Sequence, residues 1–245
     1  MVMSKSKLKR FIEKYTLGGE IKSVKWSSDG KSLSTRFISG DKSVVGSVLL
    51  DKFSDIEPSD LGIYNTPQFS ALLGIMGDDV EFKLTSSGDK FISIDMKDTK
   101  FKTTAKYMLS DLSVIPTPPE LRNLPSEFDL DIKVDSNFIN TFIAGKGALA
   151  DTESFTIVTK NDKVELVIGF SNVASNRVTI PVEVENYVEL EPISFNANIF
   201  ANILNANKEC QTASLKISKD GLSKINFNID DYSSEYYLVA TQQVS

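Results

Sequence analysis

Few residues in this 245-residue chain could do chemistry, and the absences narrow them first. Histidine is missing, which removes the commonest general base and the commonest metal ligand. The single cysteine, Cys210, allows neither an internal disulfide nor a cysteine-based zinc site. It lies between NANKE and QTASLKIS and reads as a small half-buried residue at a strand start, since a thiol nucleophile has no histidine partner. The pairs Asp78–Asp79 and Asp230–Asp231 could act as acid and base or hold a metal, but both sit at turn positions, where aspartate is ordinary. Asp129, Asp131 and Asp135 lack the spacing of a calcium loop. Gly145-Lys146-Gly147 is too short to cradle a phosphate and reads as a helix stop. A non-enzymatic protein without a cofactor is expected.

What remains is charge. The net charge is −6, yet residues 1–14 hold Lys5, Lys7, Lys9, Arg10 and Lys14 against one acid, Glu13. The rest of the chain carries 22 basic and 32 acidic side chains. A basic stripe on a helix is either a solvated face or a contact for phosphates, which Lys and Arg hold without reading sequence.

The elements that would position this charge recur. Four segments have helical apolar spacing: 5–16 (Leu8, Phe11, Ile12, Tyr15), 66–77 (Phe69, Leu72, Leu73, Met76), 135–147 (Phe138, Ile139, Phe142, Ile143) and 196–207 (Ile199, Phe200, Ile203, Leu204). Ser4 is placed to cap the first; Thr66 reads as the N-cap of the second, with Pro67 at its first position. Gly145 and Gly147 are expected to stop the third. After each helix comes a hairpin signal, with turns at 27–31, 86–90, 160–163 and 218–221. Further strands are expected at 42–50, 61–65, 100–109, 176–184, 187–195 and 235–243. The four units pair into two similar halves, joined by residues 110–128, which hold four of the eight prolines and read as an extended connector. Amphipathic helices cover sheets, so an α+β fold with helices on one face of antiparallel sheets follows. No apolar run approaches the ~20 residues of a membrane span, and FIEKYTL is no signal-peptide core. A soluble, unexported protein is expected.

This pattern resembles the DNA polymerase sliding clamps of T4-like bacteriophages, which share the PCNA-like clamp fold. Three stretches carry the resemblance: MVMSKSKLKRFIEKY (1–15), IYNTPQFSALLGIMGDDVEF (63–82) and SEYYLVATQ (234–242). It implies two similar clamp domains, 1–110 and 128–245, each with two helices on antiparallel sheets, and an interdomain connector, 111–127. It implies a six-domain ring, hence a homotrimer. Such a ring encircles double-stranded DNA topologically and without regard to sequence, and tethers the DNA polymerase as a processivity factor after an ATP-dependent clamp loader has placed it. The expected compartment is the cytoplasm, of the infected host cell if the protein is viral.

The resemblance puts the helices on the inner wall of the ring. Lys7, Arg10 and Lys14 follow i, i+3, i+7 on a face away from the apolar stripe, with Lys9 on its flank. With Lys5, Lys146 and Lys208 they form the implied DNA-facing set. The third helix offers only Lys146, and the fourth Asn198, Asn202, Asn205 and Lys208, so the first helix dominates. A pocket for partner peptides is implied beside the connector, from Leu112, Val114, Ile115 and Pro116 with Leu238 and Ala240; alternatively these residues only pack the connector down. Ring closure is implied between an edge strand with Tyr107 and Met108 and another with Val178 and Ile180. A competing reading is a structural virion or surface protein of repeated β-rich units, which would not respond to charge reversal on the first helix.

Overall fold

The structure, a computed structural model, describes residues 2–121, 124–125, 127–171, 173, 175–185 and 187–241. Contacts group the chain into two compact units. The first holds Met1–Ile38, Gly46–Pro118 and Asp231–Ser233; the second holds Ser39–Val45, Pro119–Asp230 and Ser234–Ser245.

The N-terminal half of the chain runs β1 (Val2–Ser4), α1 (Lys5–Thr16), β2 (Val24–Ser28), β3 (Leu33–Ile38), β4 (Val44–Leu50), β5 (Ser59–Ile63), α2 (Thr66–Gly74), β6 (Asp79–Ser87), β7 (Lys90–Asp98) and β8 (Thr104–Met108). The C-terminal half runs β9 (Leu130–Asp135), α3 (Ser136–Ala148), β10 (Ser154–Lys160), β11 (Lys163–Ile168), β12 (Val178–Val182), β13 (Ile193–Asn196), α4 (Ala197–Ala206), β14 (Thr212–Ser218), β15 (Leu222–Ile229) and β16 (Tyr232–Val239). The element order is the same in both. So is the strand order: β1-β6-β7-β8 answers to β9-β14-β15-β16, and β5-β2-β3-β4 to β13-β10-β11-β12. Even a corner repeats. Ser110 N–H donates to Gly62 O in the first unit, and Thr241 N–H to Ser194 O in the second. The chain is a duplicated α+β fold.

Each helix buries its apolar stripe. From α1 these are Leu8, Phe11, Ile12 and Tyr15; from α2, Phe69 and Leu73. They meet Trp26 of β2, which takes Phe11 and Phe69 edge-on at 5.8 and 5.2 Å between ring centroids, while Phe69 meets Tyr107 at 5.0 Å. The Trp26 indole N–H donates to the Tyr15 hydroxyl at 3.3 Å, so the polar atom of the largest core side chain is satisfied. In the second unit, Phe142 and Phe155 pack on Phe200 at 4.9 and 4.8 Å. Beneath α4, fully buried Asn207 donates to Ile203 O and to the Tyr236 hydroxyl and accepts from Ser234 Oγ. Burial pushes the Tyr236 phenol up to about 12, so it stays a neutral partner. Cys210 lies just before β14 with Sγ against Thr212 O, and is buried more deeply than the half-buried place its position suggested.

Several local expectations need correcting. Ser4 precedes α1 but makes no capping bond; its hydroxyl pairs with that of Ser6, and its backbone lies in β1 opposite Asp79. Asn65, not Thr66, caps α2 by accepting Gln68 N–H, while Thr66 is buried beside the Tyr15 hydroxyl. The helix α2 stops at Gly74, before Met76. Conversely α3 runs through both glycines to Ala148. Gly145 is there for close packing: a Cβ would sit 3.0 Å from Val178 Cγ1 and 3.3 Å from Ile168 Cδ1. Residues 187–192 form no strand, because Thr159 Oγ1 rather than a ladder takes the Leu190 N–H and donates to Leu190 O.

Gly62 anchors the start of the connector. A Cβ at this position would lie 2.3 Å from Ser110 O, a backbone atom that cannot swing aside. We expect Gly62→Ala to destabilise the fold by about 2–3 kcal/mol. Thermal denaturation with far-UV circular dichroism measures this directly, and an unchanged melting temperature would contradict so close an approach.

Candidate nucleic-acid interface and docking surfaces

Helix α1 presents its basic residues in three different ways. Lys5 Nζ donates to Gly74 O and Met76 O, at 3.1 and 2.5 Å. It therefore caps carbonyls left open at the end of α2, where a positive charge also suits the helix dipole. Lys9 is exposed and pairs with Glu13 one turn on at 3.7 Å, a contact contributing about 0.3–0.5 kcal/mol. Lys7, Arg10 and Lys14 meet Asp231 and Tyr232, where the turn after β15 enters β16. Lys7 Nζ lies 3.4 Å from Asp231 Oδ2, and Lys7 O accepts the Tyr232 hydroxyl at 2.8 Å. The Arg10 guanidinium stacks 4.6 Å from the Tyr232 ring centroid, with Lys14 Nζ at 5.5 Å.

Two members of the implied DNA-facing set are therefore corrected. Lys14 is only 1% exposed, with its Nζ over the Tyr232 ring. Lys146 is 8% exposed and turns back on its own helix end, donating to Ala150 O at 2.6 Å and Leu149 O at 3.5 Å. Both are structural cations, not solvent-facing ones. Lys208 is exposed in the turn after α4, and Asn198 and Asn205 are exposed on α4 itself. Sequence reasoning missed Lys52. It is 77% exposed and reaches the other oxygen of Asp231 at 3.1 Å, so one carboxylate carries Lys7 and Lys52 together. These two lysines hold Asp231 below the usual carboxylate range, Lys52 more than Lys7.

The connector begins with a 3₁₀ turn, Leu112–Val114, capped by Asp111, which accepts Ser113 N–H and pairs with Lys90 Nζ at 2.9 Å. Leu112, Ile115 and Pro116 line a cavity of about 390 Å³ with Lys25, Thr35 and Arg36. Leu112 also borders a second cavity, of about 490 Å³, with Phe91, Ile92 and Leu109. Val114 is exposed and lines neither. Leu238 is a correction: it is buried in the second unit's core, so it cannot wall an open pocket. Ala240 is half-buried and donates its N–H to Gly221 O. The exposed apolar residue on that strand is Val239, one position off the Leu238/Ala240 parity, and a shift of one changes the face.

Strands β8 and β12 each lie at a sheet edge, with no further strand beside them among the described residues. Leu109 N–H donates to Ile92 O across the β7–β8 ladder, whereas Ser110 N–H points the other way, to Gly62 O. By alternation, Thr104, Lys106 and Met108 direct their N–H and C=O outward. Just past β12, Glu183 O accepts the N–H of Lys133 in β9 on the side away from β11, so by alternation Thr179 and Pro181 of β12 face outward too. Pro181 thus removes no ladder bond, the placement edge strands allow. Of the implied interface residues only 59%-exposed Met108 fits as a contact. Tyr107 is a core residue whose hydroxyl accepts Asn65 N–H, and Val178 and Ile180 turn their backbone to β11.

The acidic residues have local work. Asp135 caps α3, Asp129 accepts Lys219 N–H, and Asp131 takes the Ser214 hydroxyl and pairs with Lys216 at 3.4 Å. Among the described residues no helix is long and apolar enough to cross a membrane.

No family model matches the sequence, and no curated protein matches it. Among solved structures the fold is found in Proliferating Cellular Nuclear Antigen from Entamoeba histolytica, with a TM-score of 0.71 and 18% identity. The match covers 98% of this chain and 96% of that one. The chain therefore has the two-domain α+β fold of a PCNA-like clamp, over almost its whole length.

Proposed function

We propose that the protein is a sliding clamp of the T4-like phage type, a non-catalytic processivity factor acting as a homotrimeric ring on duplex DNA. The single observation carrying this reading is the likeness in fold, which spans both chains nearly end to end. The duplicated units supply two clamp domains, 1–110 and 128–245, and three chains supply six. The basic face of α1, with Lys7, Lys9 and Arg10, lines the hole and meets phosphates without reading sequence. A ring is retained on DNA by topology, so a sparse lining suffices and tight pairing would hinder sliding. The free edges of β8 and β12 pair head to tail between subunits, a heterologous contact that closes. The cavity at Leu112, Ile115 and Pro116 takes peptide tails of the polymerase and of the ATP-dependent loader. The protein works in the cytoplasm, that of an infected host cell if it is viral.

Light scattering at high protein concentration tests the assembly. We expect about 81 kDa, three times the chain mass of 27.1 kDa. A concentration-independent monomer would leave no ring and favour a structural protein of repeated β-rich units.

A further inference from the structure

We infer that Asp231 is a built-in counter-ion that competes with DNA phosphates for Lys7 and Lys52, and that Lys52 belongs to the DNA-binding surface. This rests on the DNA-facing reading of α1. The carboxylate holds the two lysines on separate oxygens, at 3.4 and 3.1 Å. Its position is fixed independently of that pairing, because Asp231 O accepts Asp51 N–H at 2.8 Å and the adjacent Tyr232 hydroxyl donates to Lys7 O. The acid is thus pinned at the head of the basic stripe, beside the Arg10 stack on Tyr232.

The physical consequence is an exchange. Both lysine heads are substantially exposed, at 44% and 77%, so their pairs with Asp231 are weak and open to a phosphate. DNA that takes Lys7 or Lys52 must displace Asp231 as well as water and salt. The surface gives up part of its attraction for each phosphate, and a carboxylate is ready to receive each lysine as the phosphate moves on. Such a surface suits a ring that must stay mobile, because every contact broken is replaced locally. The sequence could not show this: Asp231 lies 224 residues from Lys7, at a turn where aspartate needs no special explanation.

The test is fluorescence anisotropy of the full chain on a labelled duplex of roughly three helical turns, between about 50 and 200 mM salt. We expect Asp231→Asn to bind at least about threefold more tightly at the low end and to steepen the log–log salt slope by about one to two. Lys52→Gln should weaken binding, lower the slope by about one, and remove most of the gain when combined with Asp231→Asn. Asp60→Asn is the control for bulk charge: it removes the same charge from a pair with Lys25 on β2 and β5. Equal gains from Asp60→Asn and Asp231→Asn would overturn the inference. So would wild-type binding by Asp231→Asn alongside loss of binding in Lys7→Glu/Arg10→Glu, an outcome that leaves the DNA-facing reading standing. If Lys7→Glu/Arg10→Glu binds DNA like the wild type, the DNA-facing reading falls, and the inference with it.

Discussion

Replacing Lys7 and Arg10 by glutamate should return a loader-dependent primer-extension reaction to the level of polymerase alone, while light scattering still gives the assembled mass. The two residues share one face of α1 and neither contributes to the apolar stripe of Leu8, Phe11, Ile12 and Tyr15. In a trimer the double variant converts six cations into six anions around the hole. Each lost phosphate contact lowers the salt slope by about one, and each new carboxylate repels the backbone. We expect at least a hundredfold loss in affinity for duplex DNA, about 2.7 kcal/mol. Lys14 does not suit the same exchange. Its side chain is buried under Tyr232, so charge reversal there would bury an anion and unfold the unit, confusing lost binding with lost structure. Full stimulation by the double variant would sink the lining by α1.

The second large effect is expected at the free edge of β8. Lys106 turns its N–H outward, so Lys106→Pro keeps every bond to β7 and removes one donor from the edge, adding a ring that blocks an approaching strand. Its side chain makes only an exposed ion pair with Asp95 at 3.2 Å. If β8 closes the ring, each interface loses about 1.4 kcal/mol, and three interfaces together weaken assembly roughly a thousandfold. Sedimentation velocity over a dilution series should show monomers where the wild type is assembled, with a circular dichroism spectrum like the wild type's. An unaltered trimer would move the ring contact elsewhere.

The fold was largely legible because helix periodicity and hairpin turns are local signals. The stripes at Phe69 and Leu73 or Ile199, Phe200, Ile203 and Leu204 are buried as their spacing required. Boundaries were less legible where tertiary contact overrode local preference: Gly145 looks like a terminator, yet sits mid-helix because β12 approaches so closely. The strand proposed at 187–195 shrank to Ile193–Asn196 because Thr159 supplies a side-chain partner that no alternation pattern reveals. The charged face of α1 was visible in the sequence, but its chemistry was not. Whether a lysine faces solvent, caps a helix or lies under an aromatic ring depends on residues far along the chain: Met76 for Lys5, Tyr232 for Lys14. The edge strands failed by parity. The resemblance implied Tyr107, Val178 and Ile180, whereas an edge is set by backbone direction, which alternates regardless of side chain.

The first compact unit includes Asp231–Ser233, and the second includes Ser39–Val45. During synthesis at ~5–20 residues per second, the interval between the emergence of α1 and that of Asp231 is on the order of 10–40 s. Throughout it, Lys7 of the nascent chain lacks the carboxylate that pairs with it in the folded protein. A chain cut at the connector would part Lys7 from Asp231 and Tyr232, the two residues that hold its side chain and its carbonyl. The duplication is visible in the architecture, but the charge balance of the first helix is set by a turn encoded near the other end of the chain.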